Sequence, residues 1–174
     1  MKNRARTVAG MAIFTALAYV SALASVAIPN VSLIFIVVFF AGLLFGKGPG
    51  LMVGALGEFL WTSFNPYGMP AVPLILAQVI GMACVGLGGG FLSKKAFLRK
   101  HDRRGYFIFA LMGLFTASVF QILVSITLAL LYGPFWPSLF SNLYFALITV
   151  ISSTLIFGFS YPIALKIYRR EQPV

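Results

Sequence analysis

The chain has 174 residues, of which 60% are hydrophobic and only 9% are charged, and its formal net charge is +10. A soluble domain carries charge on about 25% of its residues, so this composition excludes a water-soluble globular protein. The cations lie in short segments beside apolar runs, which indicates contact with lipid headgroups and argues against binding of nucleic acid. The single cysteine, Cys84, excludes an internal disulfide and a cysteine-based metal cluster.

The apolar runs predict an all-α integral membrane protein in which a single domain, residues 1–174, forms a compact bundle of six transmembrane helices. A span needs about 20 residues to cross a hydrocarbon core of ~30 Å. The second and third runs are short, and the segment from Gly46 to Gly50 separates them with turn-forming glycines and a proline suited to the start of a helix. The six helices are predicted at residues 6–28, 31–46, 49–64, 70–93, 104–132 and 138–169.

All thirteen lysines and arginines fall on one side of the membrane in this arrangement. The connections at 29–32, 64–72 and 132–138, which lie on the other side, carry no charged residue. Cytoplasmic loops collect Lys and Arg, so the pattern predicts that both termini are cytoplasmic and that the three neutral connections face outward.

The polar residues within the apolar runs are candidates for a binding site. Glu58 is the one ionisable residue at membrane depth, eleven positions beyond Lys47 and therefore ~16 Å in from the cytoplasmic side. Ionisable groups in a bilayer are costly and are functional candidates for that reason. The other candidates concentrate in the outer half and predict a pocket that opens outward: Trp61, Asn65, Tyr67, Gln78, Gln121, Trp136 and Asn142.

Each of these candidates also has a structural interpretation. Trp61 and Trp136 could be interfacial anchors, which aromatic residues at helix ends commonly are. Gln78 and Gln121 could bridge neighbouring helices by hydrogen bonds. These alternatives remain open at the level of the sequence.

The residues needed for catalysis are missing from the apolar runs. There is no Ser–His pair, no paired aspartate, no metal-ligand constellation and no GxxxxGK[ST] phosphate loop. The sequence therefore predicts no enzymatic activity, no catalytic residue, no metal and no cofactor. It predicts a binding or transport component that does not hydrolyse ATP by itself.

Several local features resemble one family. The first helix carries alanines at helical spacing (Ala5, Ala9, Ala12 and Ala16, with Ala18 and Ala22), Ile28–Ser32 follows it, and Glu58–Trp61 precedes Phe64–Gly68. With six helices, this resembles the substrate-binding S component of an energy-coupling factor (ECF) vitamin transporter. The resemblance implies a multi-pass protein of the prokaryotic cytoplasmic membrane that captures a micronutrient outside and delivers it inward.

The resemblance also implies partners. Ala12, Ala16, Ala18 and Ala22 would dock onto a transmembrane coupling protein driven by two ATPase subunits, and Asn65, Tyr67 and the 132–138 connection would cover the pocket.

The outer half holds no Lys or Arg, which disfavours anionic ligands. Glu58 among Trp and Tyr favours a neutral or cationic heterocycle, and thiamine-like, riboflavin-like, modified-base and corrinoid ligands all remain open. The alternatives are a self-sufficient proton-coupled permease that uses Glu58 and a structural membrane protein that binds no small molecule.

Overall fold

The computed structural model describes residues 2–28, 31–93 and 103–171, with side chains for 4–28, 31–93 and 103–167. Six α-helices and no strand occur in these ranges, which confirms the prediction of an all-α fold. The helices are α1 (Lys2–Ser25), α2 (Ile34–Phe45), α3 (Lys47–Phe64), α4 (Val72–Leu92), α5 (Arg103–Leu131) and α6 (Phe135–Glu171).

Four of these helices, α1, α4, α5 and α6, are long and apolar enough to cross a membrane. The helix α2 is apolar but has only 12 residues, and α3 has 18. The count of six spans and the cytoplasmic position of the termini therefore stay predictions. The predicted interhelix segments 94–102 and 29–30 lie outside the described residues.

The six helices start one to four residues away from their predicted positions, and prolines and a glycine explain the differences at α6 and α3. Helix α6 begins at Phe135 and includes Pro137 in its first turn. Backbone N–H groups in the first turn have no intrahelical acceptor, so a proline, which lacks this N–H, costs no hydrogen bond there. Helices α2 and α3 are separated by one residue, Gly46, whose φ of 95° is accessible to glycine and reverses the chain. Pro49 accordingly lies in the first turn of α3.

Glycines bring the backbones of α2, α3 and α4 into direct contact. A Cβ atom on Gly86 would overlap the carbonyl oxygen of Gly50, and one on Gly42 would overlap the carbonyl oxygen of Gly86. Small residues allow this close approach between membrane helices. On the other side of α2, the Phe39 ring packs against Phe109 and Phe157 at centroid distances of 5.5 and 4.9 Å, so α2 is the centre of the bundle.

The helix ends that carry cations lie together. The Lys47 ammonium lies 3.8 Å from the centroid of the Phe91 ring near the end of α4, and Gly105 near the start of α5 is in contact with Tyr161 near the end of α6. We call this the basic end; the described cations there are Arg4, Arg6, Lys47, Arg103, Arg104 and Lys166. The opposite, neutral end carries residues 26–28, 31–33, 65–71 and 132–134 of the connections between helices, none of which is charged.

Candidate functional site

A cavity of about 270 Å³ opens at the neutral end, and we call it the central cavity. All six helices contribute to its wall, together with the connection between α1 and α2 and the loop after α3. Its lining residues are Ala22, Ser25, Val26, Ile28, Val31, Ser32, Ile34, Phe35, Glu58, Trp61, Tyr67, Gln78, Met82, Phe120, Gln121 and Thr149.

Two hydrogen-bond acceptors in this wall have no partner among the residues that the structure describes. The carboxyl group of Glu58 is on a side chain that is only 2% exposed, and its Oε2 atom forms no hydrogen bond. The Oε1 atom of Gln78, on the adjacent helix α4, is likewise buried and unpaired. A buried acceptor left unpaired costs about 1–3 kcal/mol, so a ligand that brings N–H or O–H donors into the cavity would recover this free energy.

The position of Glu58 follows from the small residues of α3. Gly54 packs on the backbone of α4 at Met82, and Gly57 packs on the Ala18 side chain of α1. These contacts hold α3 against α1 and α4, and in this position of α3 Glu58 lines the central cavity. The described cations lie at the basic end, so nothing in the described part of the cavity wall offers the carboxyl group a positive partner.

Aromatic side chains form much of the remaining wall. Phe35 and Phe120 meet edge to face with ring centroids 5.0 Å apart. Trp61 is half-buried, and Tyr67 lies exposed at the rim. Rings arranged around two unpaired acceptors suit a planar heterocycle that carries polar hydrogen atoms.

Asn65 does not line the cavity, in contrast to its predicted place in the binding site. Its amide nitrogen donates hydrogen bonds to the carbonyl oxygens of Thr62 and Gly68, at 2.9 and 3.1 Å. Its Oδ1 atom accepts a hydrogen bond of 2.8 Å from the backbone N–H of Tyr67. Asn65 therefore shapes the turn that places Tyr67 at the rim, which is a positioning role.

Trp136 and Asn142 also lie away from the cavity wall. Trp136 is 65% exposed, and its ring packs edge to face on Phe135 at 5.3 Å. The amide nitrogen of Asn142 donates to the carbonyl oxygen of Ser138 at 2.9 Å. Among the residues of α6, Thr149 lines the cavity, and it lies seven residues beyond Asn142, or ~10 Å deeper along the helix. The cavity is thus deeper than the first turns of α6.

Three polar residues that line the cavity were missed by sequence reasoning, namely Ser25, Ser32 and Thr149. Ser25 lies at the end of α1, where its hydroxyl donates to the Ser21 carbonyl oxygen and accepts from the Leu33 N–H. Serine and threonine are frequent in membrane helices, and their hydroxyls usually bond to their own helix. The presence of a serine or threonine in such a helix therefore does not by itself indicate a binding role.

The alanines of α1 divide between two faces. Ala12 and Ala16 are exposed, whereas Ala18 and Ala22 are 0% and 3% exposed. Ala18 packs on Gly57 of α3, and Ala22 lines the central cavity. Burial inside the bundle removes Ala18 and Ala22 from the predicted docking surface, which leaves Ala12 and Ala16 as its outward members.

Comparison with known proteins gives one family. The family model described as "ECF-type riboflavin transporter, S component" matches residues 2–169 of the chain. No curated protein matches the chain, and no solved structure matches it. In the described ranges, no group of three His, Cys, Asp or Glu side chains is placed to hold a metal ion.

Proposed function

The chain belongs to the S-component family of ECF-type riboflavin transporters, and on that basis we propose that it captures riboflavin in the central cavity for ATP-driven import. Membership makes it a membrane-embedded substrate-binding subunit of an ECF transporter. The substrate, the direction of capture and the ATP-driven module are parts of the proposal.

The observation that carries the proposal is the pair of unpaired acceptors in an aromatic-walled cavity. Riboflavin has a planar tricyclic ring with an imide N–H, and a side chain with four hydroxyl groups. These donors would pair with Glu58 Oε2 and Gln78 Oε1, while the ring would pack on Trp61 and the neighbouring phenylalanines. Riboflavin is uncharged, which agrees with a cavity wall that has no described cation.

The size of the cavity bears on how the ligand would enter. Pockets for drug-sized ligands measure about 300–1,000 Å³, and the central cavity is slightly smaller at about 270 Å³. A flavin would therefore be accommodated after an outward displacement of the rim, which consists of residues 26–28 and 31–32 and of the loop at Tyr67. We propose that these two segments cover the bound ligand.

The outward face of α1 is proposed as the docking surface for the coupling protein. Ala12 and Ala16 are exposed beside Val8, Ile13 and Val20, which are exposed apolar residues. Small residues let a partner helix approach closely in lipid, where packing drives helix association. Two ATPase subunits would energise this complex, with the basic end and both termini on the cytoplasmic side.

Fluorescence titration of the purified protein tests the ligand, because flavin emission changes when the ring is stacked in a protein. We expect saturable binding of riboflavin, and much weaker binding of its 5′-phosphate, whose charge would find no cation in the described wall. Binding of thiamine with no binding of riboflavin would overturn the assignment of the substrate.

Reconstitution into vesicles separates the proposal from a proton-coupled permease, which the lone buried carboxyl group of Glu58 also permits. We expect uptake only when the coupling protein, the ATPases and ATP are present. Uptake by the chain alone, abolished by a protonophore, would instead establish the permease.

Docking is tested by Ala16→Leu, which should preserve riboflavin binding and abolish uptake. The control is Ala24→Leu, because Ala24 is on an exposed part of α1 nearer the neutral end.

A further inference from the structure

A second cavity lies between α5 and α6 in the half of the bundle nearer the neutral end. It measures about 460 Å³, and we call it the α5–α6 groove. Its lining residues are Ser118, Gln121, Ile122, Ser125, Ile126, Leu139, Phe140, Leu143, Ala146, Leu147 and Val150. The function proposed above makes no use of it beyond Gln121, which lines both cavities.

The groove results from a change in packing along the two helices. Near the basic end, Gly105 receives the Tyr161 ring and Gly113 receives Phe157, so α5 and α6 are in close contact. Towards the neutral end, the groove is lined by the small side chains of Ser118 and Ser125 on α5 and Ala146 on α6, which leave the space unfilled.

The groove opens onto the surface that faces lipid. Ile122, Phe140, Leu143 and Leu147 are each more than half exposed, and both helices are apolar enough to span a membrane. The sequence contains no charged residue from position 105 to position 165. A charged occupant would therefore lose its hydration without gaining an oppositely charged partner, whereas a hydrocarbon chain has no such hydration to lose.

The length of the groove matches a lipid chain. From Leu139 to Val150 it extends ~16 Å along α6, and one leaflet contributes about half of a hydrocarbon core of ~30 Å. Trp136, three residues before Leu139, is exposed at its outer end, and an exposed tryptophan at a helix end lies at the level of the headgroups. We propose that the α5–α6 groove binds one acyl chain of a membrane phospholipid from the leaflet at the neutral end.

Native mass spectrometry of the full chain, extracted from membranes in a mild detergent, tests this inference. We expect the wild-type protein to retain one phospholipid. Ala146→Phe places a ring in the groove and should remove that adduct. The matched control is Leu155→Phe, because Leu155 is an exposed residue of α6 that does not line the groove; this variant should retain the lipid.

Absence of a bound phospholipid from the wild-type protein, or equal retention by Ala146→Phe, would overturn the inference. A retained molecule with the mass of a micronutrient that is lost in Ala146→Phe would also overturn it, since the groove would then belong to the ligand path past Gln121. Should Ala146→Phe fail to fold, Ala146→Leu makes the same test with a smaller side chain. The inference is independent of the proposed ligand, so failure of riboflavin binding would leave the lipid result standing.

Discussion

Replacement of Glu58 by leucine tests whether its carboxyl group serves a ligand or the fold. Glu58 is 2% exposed, and its Oε2 atom has no hydrogen-bond partner. A group retained for stability would be paired, because burial of an unpaired polar atom is unfavourable. The two roles therefore predict opposite effects of the substitution on the ligand-free protein.

The magnitude follows from the cost of an unpaired acceptor. Removal of a buried, unsatisfied polar atom recovers about 1–3 kcal/mol, so Glu58→Leu should stabilise the ligand-free protein by up to that amount. The same substitution leaves a donor of bound riboflavin unpaired, at a similar cost of about 1–3 kcal/mol. At about 1.4 kcal/mol for each tenfold change, the dissociation constant should rise by roughly 5- to 150-fold.

Two measurements on one preparation check this prediction, namely thermal unfolding without ligand and flavin fluorescence titration. Ser63→Ala is the matched control, because the Ser63 hydroxyl is also buried and unpaired on α3 but does not line the central cavity. It should leave the dissociation constant unchanged. Destabilisation of the ligand-free protein by Glu58→Leu with unchanged riboflavin affinity would refute the reasoning and assign Glu58 to the fold.

Further predictions concern the wall, the docking surface and the helix contacts. Trp61→Ala should weaken riboflavin binding by about 1 kcal/mol or more through loss of ring packing, whereas Trp136→Ala should leave the titration unchanged; the reverse order would place the ligand elsewhere. Ala16→Leu should bind riboflavin normally but co-purify with less coupling protein, and equal co-purification would contradict the docking surface. Gly86→Ala should lower the unfolding temperature, since its Cβ would overlap the α3 backbone, at a cost of about 1–3 kcal/mol or more. Gly48→Ala, with open space around its Cβ, should be neutral or slightly stabilising. If Gly86→Ala and Gly48→Ala changed the unfolding temperature equally, the contact of α4 with α3 would be less close than the structure shows.

The fold class followed from composition, and the depth of the polar residues followed from counting along the helices. Glu58, Gln78 and Gln121 lie within long apolar runs, where a polar side chain is costly, so their positions carry information. The structure places all three in the wall of one cavity. The direction of the Glu58 side chain depends on how α3 packs, with Gly54 on α4 and Gly57 on α1, and a count of residues does not predict this packing.

Counting residues along the helices does not predict whether the side chains of Trp136, Asn142 and Asn65 reach the cavity. Their height near the neutral end is consistent with a site there, but Trp136 is on an exposed part of α6 and Asn142 lies ~10 Å above the residue that reaches the cavity. Asn65 uses its amide to close a local turn. The propensity of asparagine for such turns was an available signal for this local role.

The first helix shows why a membrane sequence leaves the faces of a helix ambiguous. In a soluble protein, polar residues mark the exposed face, but in lipid the exposed face and the buried face of α1 are both apolar. Ala12 and Ala16 share their four-residue spacing with Ala18 and Ala22, yet the first pair is exposed and the second is buried. A leucine at position 16 therefore changes an outward surface, whereas a leucine at position 18 would displace α3 beside Glu58. Loss of uptake in both variants would consequently have two different causes, and only a measurement of riboflavin binding would distinguish them.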